Sequence, residues 1–516
     1  MKRMKKVLAM LLAMVMVLGM SVTALAAPED GGKTAEIEVT GVEGETPVQL
    51  TYLQIIKPDQ TTKTGWAFAS SEIEAAYLEG YGNNDAQAVI QELIDARGAD
   101  GYANSEAIGK ALSKVAALGG FEEMENPQTV SSAGVYAVKA VQEGYTYNNM
   151  AAYVGFGEVT GDYPSLDNAT LAAKRTKIGL DKSDNDEDKV SAIGQIVEFT
   201  IKTNVPFMDP LAVNKTYFIN DEITGAEYVL AEGVSDRVEG TVTLGGNPVD
   251  GAVIQLDAVN KNVFHIDLSS LIDDQNSNAG LEVVVTYQAK VTAVTVDNKA
   301  NAGHKDGDTY GSEYGEDEDD VYTGQITLTK TGEEGGELLA DAGFEVTLGD
   351  EVVYFTKDAE GVYTHVEAAD VPEAAKTALD EAAEKKGVDR TELEQTVDGK
   401  TYVRQVFTKE DGTVMVQGLN VGTYTFTEKT APKGYSVNEN PATATLEVTA
   451  ENGAEGENGT PVANKVITQT TSMTDTKLSA LPSTGGIGTT IFTIGGCAIM
   501  ILAAGLFFAT RRKKAK

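Results

Sequence analysis

The sequence predicts a mainly β protein of several domains in a row, with helical insertions, an N-terminal signal helix and a C-terminal transmembrane helix. Three observations support this fold class. Apolar and polar residues alternate along most of the chain, which is typical of half-buried strands. Two shorter stretches carry helical spacing instead. An uncharged apolar run lies near each end, with basic residues on the side expected of an exported protein.

The N-terminal apolar run has the layout of a secretory signal peptide. Four basic residues within positions 2–6 precede the run from Val7 to Met20, and the small residues Ala24-Leu25-Ala26 follow it. This order of charge, apolar run and small residues predicts cleavage after Ala26 or Ala27. We therefore expect residues 1–26 to be removed and the remainder to be exported.

The C-terminal apolar run predicts a membrane anchor. Residues 487–510 form an uncharged stretch of 24 residues, and a helix needs roughly 20 to cross a bilayer. The basic residues from Arg511 to Lys514 follow it and predict a cytoplasmic end. The Thr- and Ser-rich segment 468–480 precedes this region, and its composition predicts a linker.

Charge and composition limit the classes of function. The net charge is −37, and without the two terminal segments, which carry nine basic residues and no acidic ones, 32 basic residues face 78 acidic ones, a net charge of −46. Such a charge argues against binding nucleic acid or an anionic membrane. The single cysteine, Cys497, lies in the apolar run, and the three histidines are far apart in sequence. We therefore expect no metal site, no cofactor and no enzyme active site.

The sequence pattern of residues 27–170 predicts a first domain that is mostly β with a helical insertion. Alternating residues around positions 35–56 read as strands, whereas the segment from Asp85 to Ala117 has helical spacing. Trp66 and the tyrosines of this domain are expected to be core residues. Lys57 stands at a strand end without a clear acidic partner, which leaves open whether this domain has chemistry of its own.

Residues 171–324 predict a second β-rich domain with acidic, glycine-bearing loops. In one of these loops Asp184, Asp186 and Asp188 alternate as they do in a calcium-binding EF-hand loop. The central glycine and the terminal glutamate of that pattern are missing. We therefore expect a solvated loop and not a calcium site.

Residues 325–467 predict a third β-rich domain. It opens with the alternating segment QITLTKT, contains the helical insertion VPEAAKTALDEAAEKK, and ends with strand-like residues up to ANKVI. No nucleotide-binding loop, nucleophile elbow or zinc-binding spacing is present in the sequence.

The residues in front of the C-terminal apolar run resemble the cell-wall sorting signal of Gram-positive surface proteins. The pentapeptide is Leu481-Pro482-Ser483-Thr484-Gly485, followed by the apolar run and the basic tail, so that residues 481–516 form the complete three-part signal. The resemblance implies that a sortase cleaves between Thr484 and Gly485 and transfers the Thr484 carbonyl to an amine. It also implies a membrane-tethered precursor and a mature protein attached to peptidoglycan.

A second motif, in the third domain, resembles the E-box of Gram-positive pilins and Cna B-type domains. It reads YTFTEKTAPKGY, from Tyr424 to Tyr435. The resemblance implies tandem immunoglobulin-like or Cna B-type β-sandwich domains and an autocatalytic isopeptide bond between a lysine and an asparagine, with release of ammonia. The matching residues are Lys330 on the first strand, Asn464 on the last strand and Glu428 as the catalytic acid. Burial favours an uncharged, nucleophilic lysine and a protonated carboxyl, so the chemistry is plausible.

The second domain resembles the D2 domain of such fimbrial subunits, which forms a similar bond. The resemblance assigns the lysine to Lys182, the acid to Asp221 and the asparagine to Asn298. Leu180 and Lys182 share one face of a strand at a period of two. The alternatives Lys177, Glu222 and Asn301 remain open, respectively, for these three positions.

Polymerisation in this family also needs an accepting lysine between the first and second domains, usually within a YPK-like motif. This chain has Tyr163-Pro164-Ser165 there, without the lysine. Lys174 is the best substitute at the same junction, and Lys177 is the next.

Together these features predict a backbone subunit of a sortase-assembled surface pilus. Its expected partners are a sortase, identical pilin subunits joined through Thr484, peptidoglycan, minor pilins and host ligands. The alternatives are a minor pilin or a wall-anchored adhesin and, from a different class, a secreted wall-active enzyme, for which no catalytic dyad is visible.

Overall fold

The computed structural model describes residues 33–512 except 45, 96–104, 161–162, 213, 386, 457–458 and 479–486. The predicted signal peptide and the pentapeptide 481–485 lie outside the described residues. Two compact units are present. The first comprises the described residues up to 325 together with 417–421 and 447–467, and the second comprises 326–416, 422–446 and the described residues after 467. The predicted fold class is confirmed, because strands predominate throughout and several β-sandwiches are formed.

The N-terminal part of the first unit combines small sheets with three helices. The strands are β1 (Ala35–Thr40), β2 (Gln49–Pro58), β3 (Trp66–Phe68), β4 (Glu122–Glu123), β5 (Gln128–Val130), β6 (Gly134–Val141), β7 (Tyr145–Tyr147), β8 (Met150–Val154), β9 (Phe156–Thr160), β10 (Tyr163–Leu166), β11 (Ala169–Ala172) and β12 (Arg175–Lys177). The helices are α1 (Ser71–Tyr81), α2 (Ala86–Asp95) and α3 (Ser105–Ala116).

Local sequence explains where these helices form. Ser70 caps α1, since its hydroxyl accepts a hydrogen bond from the backbone N–H of Ile73, and Gly82 ends the helix in the left-handed conformation. The helices pack on the sheet of β2, β3, β6 and β8. Trp66 is buried in this hydrophobic cluster, as predicted for a core residue. Lys57 is exposed on β2.

A β-sandwich with its own hydrophobic core follows within the first unit. Its strands are β13 (Leu180–Asp184), β14 (Ile196–Asn204), β15 (Phe218–Thr224), β16 (Ala226–Tyr228), β17 (Gly240–Leu244), β18 (Asn247–Pro248), β19 (Gln255–Leu256), β20 (Val263–Asp267), β21 (Glu282–Val291), β22 (Thr295–Gly303), β23 (Lys305–Asp306), β24 (Thr309–Tyr310), β25 (Gly315–Glu318) and β26 (Val321–Tyr322), with a 3-10 turn at Ser269–Leu271. We call it the second sandwich.

The two sheets of the second sandwich face each other across apolar side chains. One has the order β13-β14-β21-β17-β18 and the other β19-β20-β15-β22-β25. In β14 the buried residues Val197, Phe199 and Ile201 alternate with outward-facing ones, as the sequence period requires. The same alternation in β13 and β22 turns polar residues inward at single positions, and these positions form the candidate site described below.

The third sandwich begins at β27 and ends at β40. Its strands are β27 (Gly324–Gly332), β28 (Gly343–Leu348), β29 (Glu351–Val352), β30 (Tyr354–Lys357), β31 (Tyr363–Val366), β32 (Glu394–Val397), β33 (Lys400–Val403), β34 (Gln405–Phe407), β35 (Thr413–Leu419), β36 (Gly422–Thr430), β37 (Ala442–Leu446) and, at its end, β40 (Ile467–Asp475). Between β37 and β40, a separate hairpin of β38 (Gly453–Glu455) and β39 (Pro461–Ala463) belongs to the first unit. The helical insertion is α4 (Glu373–Ala383), and a 3-10 turn follows at Arg390–Leu393.

The last strand corrects one prediction from the sequence. Residues 468–480 were expected to be a linker, but β40 spans Ile467–Asp475 and pairs with β27. Its composition is rich in threonine, which is a good strand former, and Ile467, Met473 and Asp475 are buried. The strand therefore belongs to the sandwich.

The C-terminal helix α5 (Ile487–Arg512) matches the predicted transmembrane segment in position and length. Its most apolar part, Ile491–Arg511, has a mean hydropathy of 2.3 and is not buried by the rest of the protein. Length and composition allow it to cross a bilayer.

Candidate functional sites

The second sandwich encloses a lysine, an aspartate and an asparagine between its sheets. Lys182 extends inward from β13, and Asp221 and Asn298 extend inward from β15 and β22 of the opposite sheet. The side chains of Lys182 and Asp221 are fully buried and form a short ion pair. The structure therefore brings together the three residues that the sequence singled out.

The three alternative residues are placed elsewhere. Lys177 and Glu222 are exposed. Asn301 is partly buried, and its amide donates a hydrogen bond to the carbonyl of Gly311. Strand alternation explains the positions of Glu222 and Asn301, since each differs from the inward residue of its own strand by an odd number of positions. Lys177 lies on a different strand, β12, which pairs with β7.

Two tyrosines that were not predicted from the sequence complete this site. The Tyr287 hydroxyl lies 2.7 Å from Lys182 Nζ, 2.8 Å from Asp221 Oδ2 and 2.9 Å from Asn298 Nδ2. The Tyr228 hydroxyl donates to Asp221 Oδ1 over 2.8 Å. Both tyrosines alternate inward in strand-like segments, but so do many core tyrosines, so the sequence held no signal that separated them.

Burial sets the protonation chemistry of the second site. Desolvation lowers the pKa of Lys182, although the neighbouring Asp221 opposes this effect. Desolvation also raises the pKa of Tyr287 well above its ordinary value, and the Asp221 carboxyl adds to that rise. The site therefore favours a lysine closer to its neutral, nucleophilic form and a phenol that keeps its proton.

The third sandwich contains a related arrangement around Lys330, which is completely buried in β27. Its Nζ lies 2.9 Å from Glu428 Oε1 on β36, and it forms a short ion pair with Asp475 on β40. All three side chains are fully buried. Burial raises the pKa of Glu428, and the nearby Asp475 adds to this effect.

The predicted partner Asn464 does not belong to this group. It follows β39 in the bend that leads to β40 and is exposed to solvent. The buried position beside Lys330 is taken by Asp475, eleven residues later, because β40 and not β39 pairs with β27. The assignment of Asn464 as the partner of Lys330 is therefore wrong in its geometry. Strand-like alternation continuing to Met473 and Asp475 was the signal that could have found the correct residue.

The E-box segment connects Glu428 to the end of β40. The backbone N–H of Asn438 donates to Glu428 Oε2 over 2.6 Å, and the side-chain amide of Asn438 donates to the Thr474 carbonyl over 2.7 Å. Tyr435 and Lys477 both contact Glu337. These bonds hold the strand that carries Asp475 beside the glutamate.

The loop that was compared with an EF-hand is less solvated than expected. Asp184 has a fully buried side chain that pairs with Lys189 over 2.7 Å, and Lys189 also pairs with Asp319 over 2.6 Å. Burial and the Asp319 carboxyl raise the pKa of Asp184 to about 7. Within the part of the chain that the structure describes, no cluster of acidic, histidine or cysteine side chains has the geometry of a metal site.

Lys174, the proposed accepting lysine, lies between β11 and β12 and is partly buried. Its backbone carbonyl accepts a hydrogen bond from the N–H of Asn148, and burial lowers the pKa of its amine. Tyr163-Pro164-Ser165 lies in β10.

Comparison with known families agrees with these features. Residues 324–460 match the SpaA family, described as a prealbumin-like fold domain, and residues 474–516 match the LPXTG cell wall anchor motif. The chain is therefore a cell-wall-anchored surface protein whose precursor is tethered to the membrane. The resemblance to Gram-positive pilins is confirmed, and the matched proteins are structural proteins.

The chain is also similar to individual surface proteins and pilins. The chain is 25% identical to the trypsin-resistant surface T6 protein of Streptococcus pyogenes serotype M6, over 97% of this chain and 99% of that protein. The solved T6 backbone pilin of the same organism has 16% identity and a TM-score of 0.47, covering 87% of this chain and 99% of its own. The Corynebacterium diphtheriae major pilin SpaA has 14% identity and a TM-score of 0.43, covering 86% and 100%.

Proposed function

We propose that the chain is the backbone subunit of a covalently polymerised, sortase-assembled pilus, strengthened by autocatalytic isopeptide bonds within its second and third sandwiches. One observation supports this most strongly. Each sandwich buries a lysine from its first strand against a carboxyl group and an acceptor side chain on a strand near its end. This arrangement in both sandwiches suits a chain that must carry load without disulfides.

In the second sandwich the bond joins Lys182 Nζ to the side-chain carbonyl carbon of Asn298 and releases ammonia. Asp221 takes a proton from the lysine, which becomes the nucleophile. The bond connects the two sheets, because Lys182 and Asn298 belong to opposite ones. Packing holds the reacting groups in position before the reaction, which removes most of the entropic barrier.

In the third sandwich the bond joins Lys330 to Asp475 and releases water, not ammonia. Glu428 acts as the acid, and its raised pKa suits a group that donates a proton to the leaving oxygen. Two carboxyl groups surround a single lysine here, so at least one must be protonated for the buried cluster to be neutral. Condensation replaces the lysine and one carboxyl by a neutral amide and so removes a costly buried ion pair.

Polymerisation would form a further amide bond outside the sandwiches, between a threonine of one subunit and a lysine of the next. A sortase would transfer the Thr484 carbonyl of one subunit to Lys174 of the next and finally to peptidoglycan. The lowered pKa of Lys174 favours its neutral amine, which is the nucleophilic form. Minor pilins and host ligands would be the further partners of the assembled fibre.

The polymer is tested on cell-wall extracts by SDS gel. Wild-type cells should give a ladder of SDS-resistant species, and Lys174→Ala cells should give monomer only. Lys177→Ala is the matched control, because Lys177 is exposed three residues away, and it should keep the ladder. A ladder that persists in Lys174→Ala would refute the lysine assignment. Monomer alone in wild-type cells would favour a minor pilin or adhesin.

The internal bonds are tested separately by mass. The intact wild-type chain should fall short of its calculated mass by one ammonia and one water. A full calculated mass would refute both cross-links, and a deficit of two ammonias would refute Asp475 as the acceptor.

A further inference from the structure

The Tyr287 hydroxyl occupies the centre of the second site. It accepts hydrogen bonds from Lys182 Nζ and Asn298 Nδ2, and it donates one to Asp221 Oδ2. It thus contacts the nucleophile, the leaving nitrogen and the acid at hydrogen-bonding distances of 2.7–2.9 Å. Within the described residues, no other side chain contacts all three groups.

The asparagine depends on this tyrosine for its polar contacts. Asn298 Nδ2 donates to the Tyr287 hydroxyl, and Asn298 Oδ1 has no hydrogen-bond partner among the described residues. The Asp221 carboxyl bonds to Lys182, Tyr228 and Tyr287. The hydrogen-bonded connection from the acid to the leaving nitrogen therefore passes through the Tyr287 hydroxyl.

Aromatic packing holds the Tyr287 ring in place. Phe199 stacks on it with ring centres 5.6 Å apart, and Phe264 meets it edge to face at 4.9 Å. Tyr228 contacts it at 5.8 Å from a third direction. The ring lies on the central strand β21, so its hydroxyl is fixed by the scaffold, as expected of a residue that must act at one position.

We propose that Tyr287 is a catalytic residue of the cross-linking reaction in the second sandwich and relays a proton from Asp221 to the departing nitrogen of Asn298. This inference rests on the proposed Lys182–Asn298 bond. A departing amide nitrogen must gain a proton to leave as ammonia, and in a fully buried site a positioned acid supplies that proton.

The proton balance closes with these groups alone. Lys182 gives one proton to Asp221, and its neutral Nζ forms a bond to Cγ of Asn298. Tyr287 gives its proton to Nδ2 and regains one from Asp221, while Asp221 takes the second proton from Nζ. The Cγ–Nδ2 bond then breaks, leaving an amide, neutral Tyr287, protonated Asp221 and free ammonia. The high pKa of Tyr287 means that the phenol begins and ends with its proton.

The experiment follows the branched Lys182–Asn298 peptide by mass spectrometry. Full chains are produced without sortase, purified in detergent at intervals after synthesis, and digested. Tyr287→Phe keeps the ring and removes the hydroxyl, and we expect the branched peptide to form ~10²-fold more slowly, the low end of a general acid's effect. Tyr217→Phe is the matched control. It removes the hydroxyl of another fully buried tyrosine of the same sandwich, which bonds to the Asn204 carbonyl and to none of the reacting groups, so the rate should stay within about threefold of wild type.

The outcomes separate this inference from the proposed function. Wild-type rate in Tyr287→Phe would overturn the relay while leaving the cross-link in place. Absence of the branched peptide from wild type would instead overturn the cross-link, and the relay with it. The Lys330–Asp475 peptide in the same digest reports whether the third sandwich has formed normally, and resistance of the second sandwich to protease reports its folding.

A second variant covers the case in which Tyr287→Phe does not fold. Tyrosine at position 287 is replaced by a ring-fluorinated tyrosine, which retains the hydroxyl and nearly the same shape but has a more acidic phenol. The branched peptide should then form faster, because the proton is released more readily. An unchanged rate would contradict the relay.

Discussion

The two buried lysines differ in what they face. Lys182 lies opposite an asparagine on the other sheet, with a tyrosine between the lysine and the amide. Lys330 lies beside an aspartate on a neighbouring strand of its own sheet, with a glutamate from the other sheet as its second contact. An amide and a carboxylic acid need different help to leave, as ammonia and as water. In the proposed reactions, the polar side chains buried around each lysine therefore differ with the group that must leave.

The largest expected effect on cross-linking comes from replacing Asp475, the proposed acceptor of the third sandwich. Asp475→Ala should abolish the branched peptide that joins β27 to β40, because no carbonyl carbon remains beside Lys330. It should also lower the melting temperature, since the lost cross-link no longer restricts the unfolded chain and Lys330 loses one of its two buried partners. Peptide mass spectrometry and calorimetry measure the two effects.

Asn464→Ala is the control for that experiment. The side chain is exposed, so its removal should leave both the branched peptide and the melting temperature unchanged. A bond lost in Asn464→Ala and retained in Asp475→Ala would restore the prediction made from the sequence.

The next largest expected effect is on the rate of the reaction and comes from replacing Glu428, the proposed acid of the third sandwich. Glu428→Gln keeps the shape but cannot donate a proton, so formation of the Lys330–Asp475 bond should slow by ~10²-fold or more. The reaction is followed by the fraction of branched peptide with time after synthesis. Glu345→Gln is a suitable control, because Glu345 is a largely buried carboxyl of the same sandwich that pairs with Arg404 and not with Lys330. Equal rates in the two variants would contradict the role of Glu428.

A smaller effect is expected at Asn438, which joins the glutamate to the acceptor strand. Asn438→Ala removes the side-chain bond to the Thr474 carbonyl but retains the backbone N–H that Glu428 accepts. We expect a loss of about 1 kcal/mol in the free energy of unfolding and a rate reduced by less than about tenfold. Asn440→Ala, exposed two residues away, should change neither quantity. A Glu428-like loss of rate in Asn438→Ala would mean that Asn438 takes part in the chemistry.

The smallest expected effect is on the pH dependence of stability and comes from the buried Asp184. This residue pairs with Lys189 in the second sandwich and takes no part in the proposed chemistry. Its pKa is about 7 in the folded chain and 3.8 ordinarily, so between these values the folded state retains a proton that the unfolded chain has lost. The free energy of unfolding should therefore decrease as pH rises from about 4 to 7. Calorimetry at pH 5 and pH 8 should show a lower melting temperature at pH 8.

Asp184→Asn should reduce that difference, because the amide does not titrate. Asp181→Asn, at an exposed position on the same strand, should leave the difference as in wild type. A pH dependence that is unaltered in Asp184→Asn would assign the effect to other groups, such as Asp188, whose pKa burial raises to about 6.

Much of both sites could be read from alternation and motif. A period of two places Lys182, Lys330 and Asn298 on the inner faces of their strands, and the E-box identifies Glu428. Alternation also excludes Glu222 and Asn301, because each lies an odd number of positions from the inward residue of its strand, whereas Lys177 is excluded because it belongs to another strand, β12. It does not say which strand lies beside which, since pairing between distant segments depends on the whole sandwich.

The sequence by itself therefore determined the anchored, mainly β character of this protein and the inward faces of Lys182 and Lys330, because these depend on local composition and spacing. Only the tertiary structure decided the partner of Lys330, because the composition of residues 468–480 predicted a linker, whereas these residues form most of β40, which pairs with β27 and carries Asp475. It also decided the place of Tyr287, because its hydroxyl, the amine, the carboxylate and the amide that meet in this site come from four different strands. The local sequence pattern determines which face of a strand a residue occupies, and long-range packing determines which strand lies beside it.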